Sequence, residues 1–179
     1  MNVHELVAPC LTSIEQLGGA ATAELRSDHA GETGAVCIYE GILAVSQSTE
    51  LRAFAVSHLR AEQIHLAALD RLLPHHLHSK CLPLWRVAGW GLGAFAALLG
   101  PHFTYATIRA VETFVVEHYQ QQLHVFPLPF RTLLQQFCDD EAVHRNEAQA
   151  AMHAKAHYPA WHWIVSTGSA VAVQVARRF

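Results

Sequence analysis

Apolar side chains recur at intervals of three and four along most of the chain, and no stretch alternates as a half-buried strand would. This pattern predicts an amphipathic helix from Leu25 to about Val45. A second, capped by Ser48 or Thr49, runs to about Leu73 and stops ahead of Pro74. A third spans about Thr104 to Val125, where Pro127 and Pro129 break it, and a fourth about Phe130 to Ala156, ahead of Pro159. Between the pairs, residues 83–101 read PLWRVAGWGLGAFAALLGP, and residues 160–177 form a second apolar segment near the C-terminus. The expectation is an all-α fold, one domain over residues 1–179. It is a four-helix bundle with 1–24 as an N-terminal extension and two added apolar helices.

Some polar residues sit where this pattern calls for apolar ones. In SDHAGETGAVCIYEG (27–41), Glu32 shares a helix face with Val36 and Tyr39, so a carboxylate points inward, where a lone charge is costly. The second helix carries Glu62 and His65 in RAEQIH, and the fourth carries Glu141 and His144 in DDEAVH. A step of three residues puts both members of each pair on one face. Each pair is preceded by a single glutamate on the helix before it, Glu32 at 30 residues and Glu112 at 29. Tyr39 and Tyr119 each follow that glutamate by seven residues. The chain therefore reads as two helix pairs of one design, joined by the apolar insert.

One Glu on each of two helices, with Glu-x-x-His on the other two, is the ligand set of di-iron and di-manganese carboxylate bundles. Electrostatics gives the reason. Four buried carboxylates need about four positive charges, no basic residue lies on their faces, and two divalent ions with neutral imidazoles supply the balance. Carboxylate and imidazole without thiolate suit iron or manganese, while structural zinc favours thiolate. The predicted ligands are Glu32, able to bridge, with Glu62, His65, Glu112, Glu141 and His144, for two Fe ions per chain. Asp140, beside Glu141, can accept a hydrogen bond from a ligating histidine or can be a solvated charge. His118 and Tyr119 lie six and seven residues, about two turns, beyond Glu112; Tyr119 either faces the metals or is a plain core residue. His75, His76 and His78 have no partner motif beside them and read as a solvated loop.

Composition adds a membrane. The chain is 51% hydrophobic and 15% charged, against a usual charged share of about 25%. Trp85, Trp90, Trp161 and Trp163 all fall in the two apolar segments, as residues of a membrane–water boundary do. The uncharged run from Val87 to Leu99 is too short to span, which needs about 20 residues, and suits an interfacial helix. Arg86, Arg177 and Arg178 could meet anionic headgroups. Alternatively both segments pack on the bundle, with Gly89, Gly91 and Gly93 permitting close contact. The first basic residue is Arg26 and Cys10, Cys37, Cys81 and Cys138 are scattered, so the expectation is the cytoplasmic face of a bacterial cell membrane. A net charge of −3 without a basic tract argues against a nucleic-acid partner and, with the apolar insert, against a tRNA-hydroxylase-like oxygenase. The rival from another class is ferritin-like iron storage or buffering; a peroxide-handling di-manganese or rubrerythrin-like protein is a further alternative, the missing CxxC pairs leaving out a rubredoxin domain but not peroxide reduction.

DHAGETGA (28–35), RAEQIH (60–65), AVETFVVEHYQQQL (110–123) and DDEAVH (139–144) together resemble the demethoxyubiquinone hydroxylase family, ferritin-like di-iron monooxygenases of ubiquinone biosynthesis. LLGPHFTYA before the third helix and HRNEA after the last ligand depart from that family's pattern and leave the six ligands whole. The resemblance implies hydroxylation of the ring of a polyprenyl demethoxyubiquinol, using O2 and electrons from the quinol itself or an NADH-linked donor. It implies the same six ligands and matches His118 and Tyr119 to a His-Tyr pair near the metals. A homo-oligomer or a ubiquinone-biosynthesis complex is the corresponding expectation for partners.

Overall fold

The computed structural model describes residues 2–11, 14, 17–152 and 158–179. Its helices are α1 (Val3–Leu11), α2 (Gly19–Val45), α3 (Thr49–Leu72), α4 (Leu82–Leu98), α5 (Pro101–Gln122), α6 (Leu128–Ala151) and α7 (Pro159–Arg178). No strand occurs among the described residues. Helices α2, α3, α5 and α6 form the four-helix bundle. Ser48 caps α3, its hydroxyl accepting from the Leu51 N–H at 3.3 Å. Gly100, at φ 99°, turns the chain from α4 into α5, a conformation other residues rarely adopt.

Several boundaries differ from the sequence expectation. Helix α2 starts at Gly19 and not Leu25, and α5 at Pro101, because proline is well suited to a first turn. The described part of α6 ends at Ala151; the expected continuation toward Ala156 falls on residues 153–157, outside the described residues. Within the N-terminal stretch, α1 packs on α3 and α6 and buries Val7 and Cys10 in the core.

The core is two apolar layers. One joins Leu25, Leu69, Phe130 and Phe137 at one end of the bundle; the other joins Ile42, Leu51, Ile108 and Ala148 at the far end. Along each bundle helix the glutamates lie between these layers in sequence, so they share one central slab.

Helices α4 and α7 flank α2 and α5. Glycine sets the α2–α4 distance. A Cβ on Gly89 would collide with the Gly34 carbonyl, one on Gly93 with the Ile38 carbonyl, and one on Gly41 with that of Trp90. Gly91, by contrast, faces open space. The inner face of α4 thus packs on the bundle, while Leu84, Val87, Trp90, Phe95 and Leu98 are exposed on its outer side. Helix α7 likewise exposes Trp163, Ile164 and Val171. Among the described residues no helix is long and apolar enough to cross a membrane. Of the terminal arginines, Arg177 is committed to Glu24, 2.8 Å away, and is not free for a headgroup.

Replacing Gly93 with alanine should lower stability by about 1–3 kcal/mol through overpacking against the Ile38 backbone. Gly91→Ala should raise it by up to about 1 kcal/mol through helix propensity. Thermal melts of the two variants check the contrast.

Candidate metal centre

The central slab brings all six predicted residues together, buried, from four helices. They form two overlapping groups, Glu32, Glu62, His65 and Glu141, and Glu62, Glu112, Glu141 and His144, each offering donor atoms within 4.8 Å of one another. Glu62 and Glu141 belong to both. Glu32 belongs to the first group only and Glu112 to the second only. His65 Nδ1 lies 2.9 Å from Glu141 Oε1 and 3.8 Å from Glu32 Oε2. His144 Nδ1 lies 3.0 Å from Glu141 Oε2 and 3.2 Å from Glu62 Oε1.

Metal-free, this cluster is electrostatically unbalanced. Burial, and then the neighbouring carboxylates, push Glu32 and Glu112 well above the ordinary carboxylate range. Burial would raise Glu141 as well, but the imidazoles of His144 and His65 outweigh it and hold Glu141 at about 2. The same contacts overcome burial at the histidines, raising His144 to about 10 and His65 well above its usual value. Protons therefore fill the role of cations. Glu32 Oε2, Glu62 Oε1, Glu141 Oε1 and His65 Nδ1 are buried without a hydrogen bond of acceptable geometry, although the last two are in close contact. Oxygens and nitrogens at ligand spacing that do not satisfy each other fit a pair of divalent ions.

The surroundings repeat the two-fold design. Tyr119 on α5 donates to Glu32 on α2 at 2.7 Å, and Tyr39 on α2 donates to Glu112 on α5 at 3.2 Å. Burial, and then the glutamates, raise both phenols well above their usual pKa, so they stay protonated donors. His65 Nε2 donates to Asp140 Oδ2 at 3.2 Å. His58, ring-stacked on Phe54 and next to His144, pairs through Nε2 with Glu147 at 2.8 Å. His118 pairs with Asp28 and not with the six clustered residues; its Nε2 lies 3.2 Å from Asp28 Oδ1, which also accepts from Gln122 at 2.7 Å. An apolar cavity of about 340 Å³ lies between α2, α5, α4 and α7 and reaches the four glutamates. Trp85, Leu92, Phe114 and Ile164 are among its walls; Asp28 and His118 are among its few polar ones.

Tyr39, His58, Asp28 and Glu147 were not singled out as site residues from sequence. Tyr39 carried a signal, its spacing from Glu32 matching that of Tyr119 from Glu112. His58 lies four and seven residues before Glu62 and His65 and so shares their face. Asp28 and Glu147 gave none, since their roles depend on residues about ninety positions away.

Residues 20–176 match the family described as "Ubiquinone biosynthesis protein COQ7". The chain is 36% identical over 162 residues to the 3-demethoxyubiquinol 3-hydroxylase of Rhodospirillum rubrum, covering 86% of this chain and 76% of that protein. It is 34% identical over 165 residues to the mitochondrial NADPH-dependent 3-demethoxyubiquinone 3-hydroxylase of Caenorhabditis elegans, covering 86% and 88%. The human protein of the same name is 32% identical over 168 residues, covering 86% and 76%. The chain belongs to the demethoxyubiquinone hydroxylase family.

Proposed function

We infer that this chain hydroxylates the ring of a polyprenyl demethoxyubiquinol in ubiquinone biosynthesis, with two iron ions held by Glu32, Glu62, His65, Glu112, Glu141 and His144. The observation that carries the reading is a cluster of six buried carboxylate and imidazole groups whose four glutamates open into an apolar cavity. Ferritin-like storage needs no such cavity.

Bound iron would supply the activation of O2, one atom of which goes to a ring carbon and the other to water, taking two electrons and two protons. The protein's part is to bind, orient and exclude water. Tyr119 and Tyr39 fix the outer glutamates by hydrogen bonds. Asp140 fixes the His65 ring and its tautomer. His118, held by Asp28, is the polar wall group available to a ring oxygen. Electrons come from the quinol or a nicotinamide-linked donor, and the names of the mitochondrial relatives favour the second. A peripheral seat on the cytoplasmic face of a bacterial membrane is supported by the exposed apolar sides of α4 and α7, next to the cavity they wall.

Glu112→Gln should lose one ion and nearly all hydroxylation, measured by iron per chain and by turnover of demethoxyubiquinol. A variant with both ions and full turnover overturns the ligand assignment. Metal binding should release protons and strengthen as pH rises through neutrality. His144, protonated in the metal-free chain up to about pH 10, must give up its proton to ligate. Anaerobic calorimetry with Mn(II) in buffers of different ionisation enthalpy reads both effects. Val87→Glu with Leu98→Glu, both at well-exposed positions, should reduce co-sedimentation with anionic liposomes and leave the melting temperature unchanged.

A further inference from the structure

A second cluster of metal-ligating side chains lies outside the carboxylate centre. His29 on α2, Asp70 on α3 and His78 in the loop before α4 bring one donor atom each within 4.8 Å of one another. We propose that His29, Asp70 and His78 form a separate site for one divalent ion of the zinc class, which clamps the loop after α3 onto the bundle.

The geometry is that of a partly assembled site. His29 Nε2 lies 2.8 Å from Asp70 Oδ1, and the His29 and His78 rings have centroids 4.0 Å apart. Donor atoms on a tetrahedral zinc stand about 3.4 Å apart, so the ion would replace the His29–Asp70 hydrogen bond and open that pair by about half an ångström. His78 Nε2 donates to the Leu73 carbonyl at 2.9 Å, which fixes the tautomer and leaves the Nδ1 lone pair available. A backbone carbonyl in that role is the usual support of a ligating histidine.

His29 is the buried member of the cluster, 2% exposed, and it turns its Nε2 to Asp70, the side on which His78 also lies. Burial holds His29 below its ordinary pKa, so the ring is neutral and fit to ligate. Two imidazoles and one carboxylate without thiolate suit zinc, copper, iron or nickel and not calcium or magnesium, which need more oxygen ligands. Asp70 and His78 are partly exposed, so water can complete the shell.

What the ion would fix is the seam between the bundle and the cavity walls. Arg26 donates to the Leu77 carbonyl at 2.6 Å and to the Arg177 carbonyl at 3.2 Å. The Lys80 N–H donates to the Phe179 carbonyl at 2.5 Å. The loop that carries His78 therefore leads into α4 and latches the end of α7, the two helices that enclose the cavity.

The test counts zinc per folded chain after equilibration and removal of free metal, in wild type, His78→Ala, Asp70→Asn and His76→Ala. His76 is exposed on the same loop and outside the cluster, so its variant is the control. Comparison between variants makes the result independent of how many ions the carboxylate centre takes. His78→Ala and Asp70→Asn should each hold one ion fewer than wild type, and His76→Ala the same number. Zinc should also raise the melting temperature of wild type more than that of either variant. Retention of the ion by His78→Ala or Asp70→Asn overturns the site. So does its loss from His76→Ala, which would mean that the loop histidines chelate by themselves. The two altered residues lie outside both apolar layers, so the variants keep the fold, which circular dichroism verifies.

Discussion

Four glutamates enclosed in one slab of a helical bundle set the terms for this molecule. Each isolated carboxylate would cost several kcal/mol to bury, and together they repel. Only cations inside the slab make the arrangement tenable: protons in the metal-free chain, divalent ions in the reading developed above. The two apolar layers stand on either side of this slab and carry the stability that the slab cannot provide. A bundle with its charge in the middle and its hydrophobic packing at both ends tolerates exchange of protons for metal, because neither layer has to move.

The repeated helix-pair design places hydrogen-bond donors symmetrically around the buried glutamates. The reciprocal tyrosines are the clearest trace, each helix of the α2–α5 pair stabilising the glutamate of the other. Symmetry is broken only by what surrounds the duplicated core. On the α6 side, Asp140 and Glu147 reach water and tie down His65 and His58. On the α2–α5 side, α4 and α7 enclose an apolar cavity. One centre therefore has a wet face and a dry face, a division suited to chemistry that draws protons from water and its substrate from an apolar phase.

The elements that sequence conveyed best were those repeated at helical spacing. Glu-x-x-His, twice, with an earlier glutamate at nearly the same interval, located all six buried groups because a helix turns spacing into a shared face. What could not be read were relations across the fold. Whether Glu32 or the paired glutamates occupy the shared position depends on interhelical distances. The engagement of Arg177 by Glu24 spans most of the chain. The gathering of His29 with Asp70 and His78 depends on the path of a loop with no period of its own. The early start of α2 and the burial of α1 have the same cause, since weak local patterns gained their structure from tertiary packing.

Helix α4 reverses the usual order of a surface helix. Its buried positions are Gly89, Gly93, Ala94 and Ala96, while Leu84, Val87, Trp90, Phe95 and Leu98 face outward. Small residues inside let the α4 backbone rest on the α2 backbone, which no larger side chain would allow. Large apolar residues outside forgo part of their burial, at about 25 cal/mol for each Å² left in contact with water. Close packing could have been achieved with a polar outer face at no loss to the bundle. An outer face this apolar is the mark of a surface that meets a partner or an apolar phase, and the cavity behind it leads to the four buried glutamates.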